Sequence, residues 1–160
     1  MAGMEYYGDP FAGGEGWTEE NRIGQLWQRF NAFYDATEEK PWRDKELPGE
    51  RGYELHVEPV EYEETKRLYV MVGVAVDSPD GLPPELCVRV LPAGDYAVCT
   101  LKGEEIAGNW PDRIYKEWLP ASGYEEAFKV TIERYDPRFK GPQDRESELD
   151  IVVPVCRSAD

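Results

Sequence analysis

The chain has 160 residues and a mass of 18.3 kDa, and 41% of its residues are hydrophobic, including ten Tyr and five Trp. This supplies enough apolar material for one packed domain over residues 1–160 and excludes a wholly disordered or collagen-like chain. The 33 acidic residues outnumber the 18 basic ones, so the net charge is -15 at pH 7. An acidic field of this size favours cationic ligands or serves solubility alone. Because the bases are dispersed, we expect no direct binding of nucleic acid.

The apolar runs and the cysteines predict a cytoplasmic protein. The longest apolar run, Leu68–Val76, is about half the length that spans a bilayer, so we expect no membrane association. Residues 1–16 lack the basic and apolar segments of a secretory signal. Three scattered Cys and one His match neither a disulfide scaffold nor a zinc site. We therefore expect no metal and no other cofactor.

The first half of the chain predicts a helix among strands. Apolar residues recur at spacings of three and four from Ile23 to Tyr34, and Thr18 is a suitable N-cap for that helix. Tyr53–Val57 alternates between apolar and polar residues, as a half-buried strand does. The continuous apolar run Leu68–Val76 indicates a central strand covered on both faces. In chain order, the predicted elements are a short strand ending at residues 4–7, a helix at 19–35, and strands at 53–57 and 68–76.

The second half predicts a similar order of elements. Asn109 is a plausible N-cap, Pro111 falls in the first helical turn, and Gly123 ends the helix. Trp110, Ile114 and Trp118 lie four residues apart and are predicted to share one face of it. The remaining predicted elements are strands at 86–90, 96–101, 128–135 and 149–156.

The order strand, helix, strand, strand therefore occurs twice, which suggests an internal duplication. In this alignment Glu58 is the counterpart of Glu133. Two such halves predict an α+β fold, with an antiparallel sheet, two helices on one face and a central ligand groove near a pseudo-twofold axis. The matched segments are Tyr53–Glu58 with Phe128–Glu133, Leu68–Val74 with Leu149–Val155, and Ile23 and Trp27 with Ile114 and Trp118.

The strand at 128–135 carries the candidate site. Its alternation places Glu133 and Tyr135 on one face and Phe128, Val130 and Ile132 on the other. If helices cover the apolar face, Glu133 and Tyr135 face the groove, where a carboxylate beside aromatic rings suits a lipophilic cation. The alternative is an ordinary solvated strand face.

Other candidates carry weaker signals. Trp residues at helical spacing, such as Trp27 and Trp118, are more often core residues than part of a ligand-binding surface. Tyr96 either lines the groove or pairs across strands, and His56 is interpreted as a surface histidine. The chain has no phosphate-binding Gly loop, no Gly-x-Ser-x-Gly turn and no zinc spacing, which argues against the common kinase, dehydrogenase and hydrolase classes.

Several short segments together resemble the GyrI-like small-molecule-binding domain. The resemblance implies two strand-helix-strand-strand units around a ligand groove, with Glu133 at the position of the family's pocket glutamate. Some members are effector domains joined to helix-turn-helix segments of MerR or AraC regulators and sense lipophilic, often cationic compounds. Others stand alone, in drug sequestration or in hydrolysis of cyclopropane-containing compounds. The segments are Tyr6–Phe11, Ile23–Trp27, Tyr53–Val57, Val70–Val74, Leu91–Tyr96, Trp118–Tyr124, Glu133–Asp136 and Ser147–Ile151.

The resemblance and the residues together leave three hypotheses. The first is stand-alone binding of a lipophilic, cationic or aromatic small molecule, with Glu133 as counter-ion. The second is hydrolysis of a strained electrophile, with Glu133 as general base and Tyr135 donating a hydrogen bond. The third is a protein-interaction domain without a ligand, which predicts an exposed apolar patch and no enclosed groove. The candidate ligand-binding residues are Glu133, Tyr135, Tyr96, Trp110, Trp118, Tyr7 and Phe11.

The ends of the chain set two further expectations. Residues 1–17 and 157–160 are too short for a helix-turn-helix, so a separate regulator protein is an expected partner. The first predicted strand is brief and is expected to be frayed or truncated, which leaves Tyr7 and Phe11 open as pocket residues.

Overall fold

The structure, a computed structural model, describes residues 1–10, 21–49 and 52–158. The predicted cap Thr18 and the predicted pocket residue Phe11 lie outside the described residues. The strands are β1 Ala2–Gly8, β2 Gly52–Val57, β3 Leu68–Val74, β4 Cys87–Val88, β5 Asp95–Lys102, β6 Tyr124–Glu126, β7 Val130–Tyr135 and β8 Glu148–Arg157. The helices are α1 Arg22–Ala36, α2 Tyr62–Thr65, α3 Trp110–Asp112 and α4 Leu119–Ser122, with 3-10 turns at Pro41–Lys45 and Gly103–Glu105 and a π-helical turn at Arg113–Trp118.

The strands form one antiparallel sheet in the order β4-β1-β3-β2-β7-β8-β5, and β6 pairs with β8. The first unit is β1, α1, β2 and β3, and the second is β5, residues 110–122, β7 and β8. The two units meet where β2 pairs with β7 at the centre of the sheet. The predicted α+β class with a duplicated unit is confirmed.

Helix α1 begins where a side chain satisfies its free amides. The Asn21 side chain accepts a hydrogen bond from the Gly24 amide at 2.9 Å, as an N-cap does. Leu26 and Phe30 are buried one turn apart and pack against β1 and β3. The described helix therefore starts three residues later than predicted.

The second helical segment, residues 110–122, is interrupted by a π-helical turn. Pro120 has no amide hydrogen and its ring clashes with the carbonyl four residues earlier, which disrupts the regular helix. The Leu119 amide instead donates to the Ile114 carbonyl, five residues back. Ile114 and Leu119 therefore share the buried face, while Trp118 is 43% exposed. The prediction that Trp118 shares the face of Ile114 is wrong for this reason.

The buried apolar side chains in the described part of the chain form three clusters. One lies beneath α1 and a second beneath residues 110–122, both on the helical face of the sheet. The third occupies the opposite face and includes Val130 and Ile132, with Phe128 packed against it. The helices therefore cover the face that carries Glu133. The condition that they cover the apolar face of this strand does not hold, and the groove lies under the helices on the face of Glu133.

Several local predictions are corrected by pairing between distant segments. β1 pairs with β3 over all seven of its residues, so this strand is not frayed. The strand predicted at 86–90 is reduced to the two residues of β4. Trp42, between the predicted helix and the strand at 53–57, is buried in a 3-10 turn. No helix in the described part of the chain is long and apolar enough to cross a membrane.

Candidate functional site

An open groove of about 1200 Å³ lies on the helical face of the sheet, between α1 and residues 106–119. Its floor consists of the central strands β2 and β7, and the two helical layers form its walls. The predicted central groove is thus present. Its floor and wall residues include Trp27, Glu54, His56, Trp110, Tyr115, Thr131, Glu133 and Tyr135.

The register of β2 and β7 places two carboxylates opposite each other. Glu54 pairs with Glu133, and His56 pairs with Thr131. Because side chains alternate along a strand, all four face the groove. Glu54 is 3% exposed and Glu133 is 7% exposed. The counterpart of Glu133 across the sheet is therefore Glu54, whereas the repeat alignment indicates Glu58.

Glu54 is held by donors from two elements. The indole Nε1 of Trp27, on α1, donates to Glu54 Oε2 at 2.6 Å. His56 Nε2 lies 2.6 Å from Glu54 Oε1. Trp27, interpreted as a core residue, thus packs against the core and also lines the groove beside this carboxylate.

Glu133 lies beside Tyr135 on the same face of β7. The Tyr135 hydroxyl donates to Glu133 Oε2 at 2.5 Å. Burial, together with the negative charge of Glu54, raises the pKa of Glu133 to about 7. Burial and the neighbouring charges of Glu133 and Glu54 also raise the pKa of Tyr135 well above its ordinary value. The groove floor therefore contains a carboxyl group that exchanges its proton near neutral pH.

His56 belongs to this cluster. Burial acts to lower the pKa of His56, but its hydrogen bond to Glu54 and the charges of Glu54 and Glu133 outweigh burial and raise it. The interpretation of His56 as a surface histidine is wrong. The ligating atoms of Glu54, His56 and Glu133 lie within 4.8 Å of one another, so these residues can surround one cationic group or metal ion.

Aromatic rings flank the carboxylates. Trp27 and Tyr135 meet edge to face, with ring centroids 5.4 Å apart, and Tyr135 meets Phe139 at 4.9 Å. On the opposite wall, the Tyr115 hydroxyl lies 2.5 Å from Thr131 Oγ1. The groove thus combines buried negative charge with aromatic surface, the combination that favours lipophilic cations.

The mouth of the groove is also acidic. Glu58 is exposed there, and the partial loss of solvent around its carboxylate raises its pKa. Nearby, Lys129 pairs with Glu126, and Lys66 pairs with Glu63 at 2.6 Å. Both nearby lysines are thus paired with glutamates, and the carboxylate of Glu58 makes the electrostatic potential at the mouth negative.

The structure brings together only part of the predicted set. Glu133, Tyr135 and Trp110 line the groove. Tyr96 lies on the other face, where it packs against Phe128 at 6.1 Å. Whether any of them binds a ligand stays a prediction.

Two further candidates lie elsewhere on the molecule. Tyr7 packs against Tyr69 with the rings tilted and their centroids 4.5 Å apart, and its hydroxyl donates to Glu61. Trp118 points outward because of the π-helical turn. Neither is among the residues that line the groove.

Comparisons with known proteins extend over nearly the whole chain. The family model Cass2, described as an integron-associated effector binding protein, matches residues 1–155. The transcriptional regulator BrlR of Pseudomonas aeruginosa is 33% identical over 159 residues, 97% of this chain and 51% of BrlR. The chain therefore spans about half the length of this curated relative. The structure of SAV2435 bound to tetraphenylphosphonium matches with a TM-score of 0.61 and 15% identity, over 97% of this chain and 87% of that one, a likeness of fold.

Proposed function

Since the chain belongs to the integron-associated effector-binding family, we propose that its groove binds a small lipophilic cation as effector. The family match also confirms the resemblance to GyrI-like small-molecule-binding domains. The observation that carries the proposal is the buried carboxylate of Glu133 at the groove floor, opposite Glu54 and beside the ring of Tyr135.

The electrostatic argument starts from the ligand-free site. Burial and the neighbouring charge of Glu54 raise the pKa of Glu133 to about 7, so the pair carries a proton on about half of the molecules at neutral pH. The positive charge of the ligand replaces that proton, and it is attracted to both carboxylates. The aromatic rings add contact area and cation–π attraction.

The structural likeness to SAV2435 supports the choice of probe. That protein has been solved with tetraphenylphosphonium, a lipophilic cation. The same compound is therefore a suitable first ligand for this chain.

The test is calorimetric titration of tetraphenylphosphonium into wild-type protein and Glu133→Gln. Losing the charged partner of a buried cation costs about 2–5 kcal/mol, so we expect affinity to fall at least about 30-fold. Glu117→Gln is the matched control, since Glu117 is exposed and is not a lining residue. Equal affinity of wild type and Glu133→Gln would remove Glu133 from the site.

A catalytic role is the second candidate, favoured by the carboxyl of Glu133 with a pKa near 7 and by the adjacent Tyr135 hydroxyl. Glu133 would take a proton from a water whose oxygen bonds to a ring carbon while the adjacent ring C–C bond breaks. The electron pair passes to a conjugated carbonyl as an enolate, to whose oxygen Tyr135 donates a hydrogen bond, and the proton on Glu133 then returns to the ring carbon that left. Mass spectrometry of a cyclopropane-bearing electrophile, held in excess over protein, separates the two roles. Repeated turnover that Glu133→Gln abolishes would support catalysis, and conversion of one equivalent or less would leave binding alone.

The third hypothesis, an interaction protein without a ligand, stays a prediction. The groove of about 1200 Å³ with buried carboxylates at its floor supports a small-molecule site instead. Partnership with a separate regulator protein stays a prediction.

A further inference from the structure

The two opposed carboxylates indicate which chemical group carries the ligand's positive charge, in addition to the sign of that charge. We propose that Glu54 and Glu133 together bind a cation that carries N–H donors, such as an amidinium or a primary ammonium group, in preference to a quaternary cation. This inference rests on the proposed function, since it names the ligand class of the same groove.

The spacing of the two carboxylates fits one nitrogen-bearing group between them. Residues directly opposite in an antiparallel pair have Cβ atoms about 4.5–5.5 Å apart, and the register pairs Glu54 with Glu133. One oxygen of each carboxylate and one imidazole nitrogen of His56 lie within 4.8 Å of one another. Two charge-assisted N–H···O bonds of about 2.8 Å span up to about 5.6 Å. An amidinium or ammonium group at the midpoint therefore reaches both carboxylates.

The surrounding donors fix the carboxylates without saturating them. Trp27 Nε1 donates to Glu54 Oε2 at 2.6 Å, and the Tyr135 hydroxyl donates to Glu133 Oε2 at 2.5 Å. Each carboxylate has about four acceptor positions. Two side chains from α1 and β7 therefore orient the pair, and acceptor positions remain for N–H groups of a ligand.

The basic residues that line the groove do not fill the remaining acceptor positions of Glu54 and Glu133. Among the described lining residues, the bases are His56 and Lys129, and Lys129 pairs with Glu126 at the mouth. His56 lies against Glu54. A quaternary cation would neutralise charge here but would leave the remaining acceptor positions of both carboxylates unused, whereas an N–H cation fills them with charge-assisted hydrogen bonds. A site that is built to accept N–H groups thus discriminates against an analogue that lacks them.

The test uses two monocations with the same apolar body. Biphenyl-4-carboxamidine carries N–H donors, and biphenyl-4-yltrimethylammonium carries none. Their affinities are measured by calorimetry at pH 8 for wild type, Glu54→Gln and the control Glu117→Gln, with tetraphenylphosphonium titrated in parallel. The amide oxygen of Gln retains an acceptor for Trp27, and the wild-type ratio of the two affinities tests the proposal without any variant.

We expect wild type to bind the amidine at least about tenfold more tightly than the trimethylammonium compound. Glu54→Gln should weaken the amidine at least about tenfold and the quaternary probe about threefold or less. If wild type binds both probes equally, or if Glu54→Gln weakens both equally, the inference is overturned while cation binding stands. If none of the three cations binds, the proposed function itself fails.

Discussion

Binding of a permanently charged cation should release a proton from Glu133. The pKa of this carboxyl is raised to about 7 by burial and by the charge of Glu54, so about a tenth is ionised at pH 6 and about nine tenths at pH 8. Only the ionised form is a counter-ion. The affinity for tetraphenylphosphonium should therefore rise about tenfold from pH 6 to pH 8 and then level off. His56, whose pKa is raised, also loses positive charge as the pH increases, which adds to the rise in affinity.

Calorimetry at pH 7 in two buffers of different ionisation enthalpy measures the proton release directly. We expect about half a proton released for each cation bound, because Glu133 is then about half protonated. The pH dependence should flatten in Glu133→Gln and persist in Glu117→Gln. An affinity of wild type that stays constant between pH 6 and pH 8, or an uptake of protons, would refute this assignment.

Three further predictions concern stability. Glu133→Gln should raise the free energy of unfolding at pH 8 by up to about 3 kcal/mol, because the raised pKa of Glu133 carries a stability cost that builds up between pH 4.5 and about 7, and the gain should vanish near pH 4 in urea titrations. Gly73→Ala should lower the melting temperature, since its Cβ would lie 2.1 Å from a backbone oxygen of β1, whereas Gly94→Ala, with nothing within 4 Å, should not; equal shifts would contradict the packing argument. Asp150→Asn should cost about 3–5 kcal/mol in the same titrations, because Asp150 is 2% exposed and pairs with Arg134 at 2.6 Å, and an unchanged midpoint would show that the pair contributes nothing.

Elements with a strong local period were predictable from sequence. Helix α1 and strands β2, β3, β7 and β8 each bury a regular set of apolar side chains, so a single segment carries the signal. β6 has three residues and exists through its pairing with β8, and the burial of Trp42 depends on packing against α1. Such tertiary contacts leave no period in the sequence.

The candidate site was predictable only in part for the same reason. The alternation along β7 placed Glu133 and Tyr135 on one face, and both line the groove. The identity of the residue opposite Glu133 depends on the register between β2 and β7, which no local sequence pattern determines. The alternation of Glu54 with His56 was visible, but without the register these residues looked like a solvated strand face.

The register also explains why a site of this kind forms at the middle of a duplicated fold. β2 and β7 are corresponding strands of the two units and pair antiparallel at the pseudo-twofold axis. At that axis His56 lies opposite Thr131, its own counterpart in the repeat, and Glu54 lies opposite Glu133 two residues away. The register therefore makes a pair of acids from two positions that do not correspond in the repeat. The pair destabilises the ligand-free fold because like charges are buried together. A cation that binds between them removes this repulsion, so the same residues that weaken the empty domain supply the driving force for binding.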